Sequence, residues 1–202
     1  MNAFLSELLE SIALDTGYLN TYLSEREQQY LDQKIGSRAD FEYDFYTNEE
    51  GENLETLLHF LSCHKTDIAK ILDDPSKKGI LIKLYTSSTI SGDYNCFRFD
   101  LDKFKQTYEP IGEVKTVYRV GRENETINSL GNSWSTSHSG LKNYSQSSAI
   151  CAVSRPVFEA KINDSEILIQ ISSQEDELIL KKKFTVNSCR ELSDEEKRVI
   201  LA

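Results

Sequence analysis

Apolar positions in the first third of the chain recur at helical spacing. Phe4, Leu5, Leu8, Leu9, Ile12 and Leu14 form a stripe that Tyr18, Leu19, Tyr22 and Leu23 continue. This predicts helix over residues 2–35, with a break at Gly17. The stretch from Ser24 to Ile35 is rich in strong helix formers and ends at Gly36, a C-cap residue type. The acidic and aromatic stretch from Arg38 to Asn53 reads as a loop. A second helix is expected from Leu54 to Leu72, stopped by Asp73-Asp74-Pro75.

Beyond Pro75 the period shortens. Gly79–Tyr85 reads as a strand, Thr86–Gly92 as a turn, Tyr94–Phe99 as a second strand and Leu101–Tyr108 as a short helix. From Val114 the pattern is mostly that of strands: Val114–Val120, Asn132–Ser137, Val157–Ile162, Ile167–Ile171 and Glu177–Leu180. A final helix follows at Leu192–Ala202, announced by the capping box Ser193-x-x-Glu196. The change of period divides the chain into a helical region, 1–75, for recognition or support, and a second region, 76–202.

Composition narrows what this pattern can do. The chain has 202 residues, with 23 Lys plus Arg against 33 Asp plus Glu, a formal charge of −10. That balance argues against non-specific binding to nucleic acid or anionic membranes, which clustered cations drive. No apolar run approaches the roughly 20 residues of a membrane span. The segment Met1–Glu7 carries an acid where a secretory signal would be basic, so synthesis in the cytoplasm without a cleavable signal peptide is expected. Cys63, Cys96, Cys151 and Cys189 are scattered without C-x-x-C or a His at ligand spacing. They read as reduced thiols, and no metal site is expected.

Three short segments carry candidate chemistry: Val117-Tyr118-Arg119-Val120-Gly121, Asn132-Ser133-Trp134-Ser135-Thr136-Ser137, and Glu175-Asp176-Glu177-Leu178-Ile179-Leu180. Singly they have ordinary meanings: an edge-strand ion pair, a solvated turn and a charged loop entering a strand. In this order, Tyr118-Arg119, Ser135-Thr136-Ser137 and Glu175-x-Glu177 ahead of an apolar strand resemble the mono-ADP-ribosyltransferases of the arginine–serine–glutamate, cholera-toxin-like clade. The resemblance spans residues 114–185, with Pro156–Ile162 similar to the strand that precedes the glutamates. The 16 residues between Arg119 and Ser135 are fewer than in many toxins of the clade.

The resemblance implies an α+β fold, in which a helical N-terminal half precedes a core of two packed, mainly antiparallel sheets with NAD between them. It implies transfer of ADP-ribose from NAD to a protein acceptor, an arginine side chain given the Glu-x-Glu form. Such enzymes include toxins, effectors and phage enzymes, some secreted or delivered into a host cell. Glu177 would stabilise positive charge on the ribose, and Glu175 would orient the incoming guanidinium. If both lie on an extended strand they share a face, with Asp176 turned away. Arg119 would offer its fork to the pyrophosphate. Ser135 would tie the nicotinamide ribose to the carboxylate, Ser137 would help hold the site, and Tyr144 is placed to stack on nicotinamide. Tyr118 is read as packing beneath the site, and His138 as exposed. NAD is the co-substrate, and no metal is required. Two other readings use the same sequence: a NAD glycohydrolase, with water as acceptor, and a catalytically silent acidic protein that docks a basic partner.

Overall fold

The computed structural model describes residues 1–46, 51–87, 97–148 and 154–201. The chain is α+β and forms two compact units, Met1–Phe104 and Lys105–Ala202.

The first unit is helical, and its breaks differ from those expected. It contains α1 (Ala3–Ser11), α2 (Thr16–Tyr22), α3 (Glu25–Lys34), α4 (Arg38–Glu42), α5 (Glu52–Cys63), α6 (Lys65–Asp73) and α7 (Ile80–Tyr85). The first break falls at Ile12–Asp15, not at Gly17: Ala13 takes a positive φ of 59°, and Asp15 caps α2. Helix α4 lies inside the expected loop, with Ser37 accepting from the Asp40 amide and Phe41 filling the core. His64 divides the expected 54–72 helix into α5 and α6.

The strand expected at Gly79–Tyr85 is helix α7. Its buried residues, Leu81 and Leu84, are three apart, a period that a short apolar run does not reveal by itself. The expected helix at Leu101–Tyr108 is reduced to a 3₁₀ turn at Leu101–Lys103. Most of the expected turn and strand over 86–99 lies outside the described residues. At its end, Phe99 bridges to Leu14, Asp15 N donates to Arg98 O at 2.7 Å and Asp100 N to Ala13 O at 2.6 Å. Phe97, Phe99 and Phe104 join Phe60 and Tyr85 in one aromatic cluster. These ties place residues 76–104 in the helical unit, so the division falls at 104/105, later than the change of period at Pro75.

Among the described residues, the second unit has six strands: β1 (Val114–Val120), β2 (Ser133–Ser135), β3 (Val157–Asn163), β4 (Ile167–Gln170), β5 (Glu177–Leu180) and β6 (Ser188–Glu191). Helix α8 (His138–Ser147) follows β2, and α9 (Asp194–Leu201) follows β6. The strands join in one antiparallel sheet, ordered β4-β5-β2-β1-β3-β6, where two sheets were expected. The joint between β1 and β2 is narrow. Their register is the single pair Tyr118↔Ser135, whereas β1 pairs with β3 along its whole length. The sheet is thus two triplets of strands meeting at one residue pair.

Strand parity sorts the side chains. Val117, Trp134, Phe158, Ala160, Ile162, Leu178 and Leu180 turn into one core cluster. On the other face, Val120 and Val157 pack with Leu141 of α8 and Leu192, joined by Tyr118, Tyr144 and Ile200. The capping box ahead of α9 forms as expected: Ser193 N donates to Glu196 Oε2 at 2.8 Å, and Glu196 N donates to Ser193 Oγ at 3.3 Å. Among the described residues, no helix is long and apolar enough to cross a membrane.

Candidate functional site

A cleft of about 290 Å³, open to solvent, lies in the second unit where β1 and β2 part. Its walls include Tyr118, Arg119, Ser135, Tyr144, Glu175 and Glu177, together with Ser133. Five of the six site residues expected from sequence therefore share one cavity. Ser137 stands outside its lining.

Glu177 opens β5, opposite Ser135 in the register. Its carboxylate accepts a 2.5 Å hydrogen bond from Ser133 Oγ, not from Ser135. Burial pushes the Glu177 carboxyl above its ordinary range and the nearby Glu175 charge adds to that, while the Ser133 hydroxyl and the Arg119 charge oppose it. The result is a carboxylate that is poorly solvated yet held by a donor, suited to stabilising a developing cation.

Ser135 is buried. Its hydroxyl lies 2.8 Å from the Glu175 carbonyl oxygen and 3.0 Å from that of Ser137, and the Ser137 amide donates back to it at 3.3 Å. Its polar capacity is directed at the main chain of the glutamate loop. The tie to the Glu177 carboxylate expected of Ser135 is made instead by Ser133, two residues earlier and on the same face of β2.

Glu175 does not share an extended strand with Glu177. It lies in a turn, and Asp176 adopts a left-handed φ of 48° between them. The shared-face argument therefore fails, although both residues line the cleft. Glu175 Oε1 accepts from Ser147 Oγ of α8 at 2.8 Å. The corner is fixed by Thr136 N donating to Asp176 O at 3.0 Å and Ser137 Oγ donating to Asp176 Oδ2 at 2.5 Å.

Ser137 is the N-cap of α8, its oxygen accepting from Gly140 N at 2.9 Å. It holds the site's frame, and we expect Ser137→Ala to lower stability by about 1 kcal/mol in urea unfolding. Tyr144 lies on α8 as expected and borders the cleft. Exposed His138 packs edge-on against Tyr118, ring centroids 4.4 Å apart.

Arg119 meets a partner that the sequence did not suggest. Its Nε donates to Glu125 Oε1 at 2.6 Å and its Nη2 to Glu125 Oε2 at 2.9 Å, a two-pronged pair. The two side chains are largely covered, 12% and 4% exposed. Burial alone would push the Glu125 carboxyl up, but the Arg119 fork and the Gly131 and Arg122 amides hold it below its ordinary value. Nη1 of Arg119 donates to the Ser133 carbonyl at 2.8 Å, bridging the two strands where their ladder has ended. The fork expected to face a pyrophosphate is held here by a carboxylate.

Two glycines complete the site. A Cβ on Gly131 would lie 2.6 Å from Arg119 Cζ, and one on Gly140 would lie 2.6 Å from the Glu175 carbonyl carbon, so both positions admit no side chain without displacement. Ser133, Glu125, Gly131 and Gly140 are the residues sequence reasoning passed over. Ser133 was accessible from strand parity with Ser135, and Gly140 from being a lone glycine in a helical stretch. Glu125, in an irregular loop, gave no local signal.

Among the described residues, no group of three or more His, Cys, Asp and Glu side chains is placed to hold a metal ion. Cys63 and Cys189 are free thiols, while Cys96 and Cys151 lie outside the described residues. No family model, curated protein or solved structure matches this chain.

Proposed function

We propose that the protein is a NAD-dependent mono-ADP-ribosyltransferase acting on a protein side chain, with arginine as the acceptor. The observation that carries the reading is the convergence of Arg119, Ser135, Glu175 and Glu177, drawn from three separate segments, on one cleft. The two-sheet core implied by the resemblance would correspond to the triplets β4-β5-β2 and β1-β3-β6, joined at Tyr118↔Ser135. The helical unit would serve recognition or support.

In this reading NAD enters with its nicotinamide ribose at Glu177. As the bond to nicotinamide breaks, positive charge grows on the sugar, and the carboxylate beneath it lowers the barrier electrostatically. Tyr118, Tyr144 and Leu141 give the cleft an apolar wall on the α8 side, where a flat aromatic group could rest and water is displaced. Glu175, held by Ser147 at the same cleft, would receive the acceptor guanidinium and take its proton.

Incubation with adenine-labelled NAD and a cell lysate tests this directly: label is expected on protein, with nicotinamide released. Free ADP-ribose without labelled protein would replace the transferase by a glycohydrolase, and no NAD turnover would leave a silent binding protein. Glu175→Gln is expected to remove transfer to arginine while sparing a measurable part of NAD hydrolysis. Equal loss of both activities would contradict the separate roles of the two glutamates.

A further inference from the structure

Four residues from β1, the following loop, β2 and β5 form a continuous polar chain. Both oxygens of Glu125 hold the Arg119 fork. Arg119 Nη1 holds the Ser133 carbonyl at 2.8 Å. The hydroxyl of the same Ser133 holds Glu177 Oε1 at 2.5 Å. Ser133 thus faces the arginine through its main chain and the reactive carboxylate through its side chain.

We propose that Glu125 and Ser133 are positioning residues for Glu177: Glu125 fixes Arg119, Arg119 fixes the Ser133 carbonyl, and the Ser133 hydroxyl fixes the carboxylate. Arg119 then acts as a strut across the gap between β1 and β2, not as the anchor of a substrate phosphate. The inference rests on reading the cleft as an NAD-cleaving site.

Three observations support it. The strut is needed, because past Tyr118↔Ser135 the two strands have no paired residues to hold their spacing. The clamp is built, because the Gly131 and Arg122 amides also donate to Glu125, at 2.9 and 3.1 Å, and Gly131, lacking a Cβ, leaves open the space that the Arg119 guanidinium fills. The other strand serine, Ser135, is spent on main-chain oxygens. A charged carboxylate in a half-buried wall needs a donor to remain ionised. The groups facing Glu177 are Ser133 from β2, Arg119 from β1 and Glu175 from its own loop. Tyr118 and Tyr144 also stand in the cleft wall.

The test follows Glu177 and Arg119 directly in the full chain, alongside steady-state NAD cleavage. In Ser133→Ala, carboxyl carbon-13 NMR is expected to show the Glu177 titration moving upward by about one pH unit, since the ionised form loses its donor. The acid limb of the rate profile should move with it. kcat should fall by about 10-fold or more with KM for NAD unchanged, and Ser133→Thr should restore both. In Glu125→Gln, the protected Nε–H signal of Arg119 is expected to disappear, and kcat to fall without any gain in KM. An unmoved Glu177 titration in Ser133→Ala overturns the role of Ser133. A retained Arg119 signal, or a lower KM in Glu125→Gln, overturns that of Glu125; the lower KM would mean that its carboxylate had been competing with substrate phosphate. If even the unaltered protein leaves NAD intact, the enzymatic reading fails, while the two NMR arms still decide whether the chain of contacts holds Glu177.

Discussion

Glu177→Gln is expected to lower kcat for nicotinamide release by about 10²–10³-fold, the usual cost of removing a group that stabilises developing charge. The same substitution should leave the protein as stable at neutral pH, or more so. Burial holds the Glu177 carboxyl above its ordinary 4.5, with Glu175 adding to the shift. A carboxyl whose folded pKa is raised binds its proton more tightly in the folded state than in the unfolded one. Stability therefore falls as pH rises from the ordinary value through the raised one, and the penalty persists at neutral pH. Glutamine keeps an oxygen for the Ser133 hydroxyl but carries no charge, so it removes that penalty. Thermal unfolding of both proteins across this pH range checks the argument: the advantage of the variant should grow as pH rises and then level off. A variant that loses stability at neutral pH would show that the charge itself holds the loop.

Gly140→Ala is expected to damage both folding and activity, although alanine is ordinarily the better helix former by about 0.5–1 kcal/mol. The added methyl would press on the Glu175 carbonyl group and the Ser135 hydroxyl. These are main-chain atoms and a buried side chain, so relief requires moving the turn that carries Glu175 and leads into Glu177 at the start of β5. Overpacking of this kind costs about 1–3 kcal/mol. Loss of NAD cleavage should exceed the loss of folded protein, because a carboxylate shifted by an ångström loses its alignment. Gly79→Ala is the control: a Cβ there meets no atom within 4 Å. Circular dichroism melts with activity assays at a temperature where both variants are folded separate the two effects.

Regular elements with strong periodicity were legible in the sequence. The alternation in Val114–Val120 and in Val157–Ile162 led to β1 and β3, Glu177–Leu180 coincides with β5, and Ser193-x-x-Glu196 marked the start of α9. Edge strand β6, Ser188–Glu191, was passed over because its residues are largely exposed and show no apolar alternation. Gly79–Tyr85 reads as a strand yet folds as α7, because five apolar or aromatic residues in a short run fit either period. At the site, residue types and order brought out the two glutamates, the arginine and the serine strand. The partnerships were not readable, because they depend on which groups face one another after folding. Thus Ser133 rather than Ser135 meets Glu177, and Asp176 bends the chain where an extended strand was expected.

The single residue pair joining the two strand triplets bears on how the unit opens. Elsewhere in the sheet, fraying one strand means breaking several backbone bonds together. At this seam a guanidinium stands in for the missing ladder, while the core cluster of Val117, Phe158, Trp134 and Leu178 ties the two halves together beneath it. Breathing motions of the domain should therefore concentrate at the mouth of the cleft, widening it without melting the hydrophobic core below.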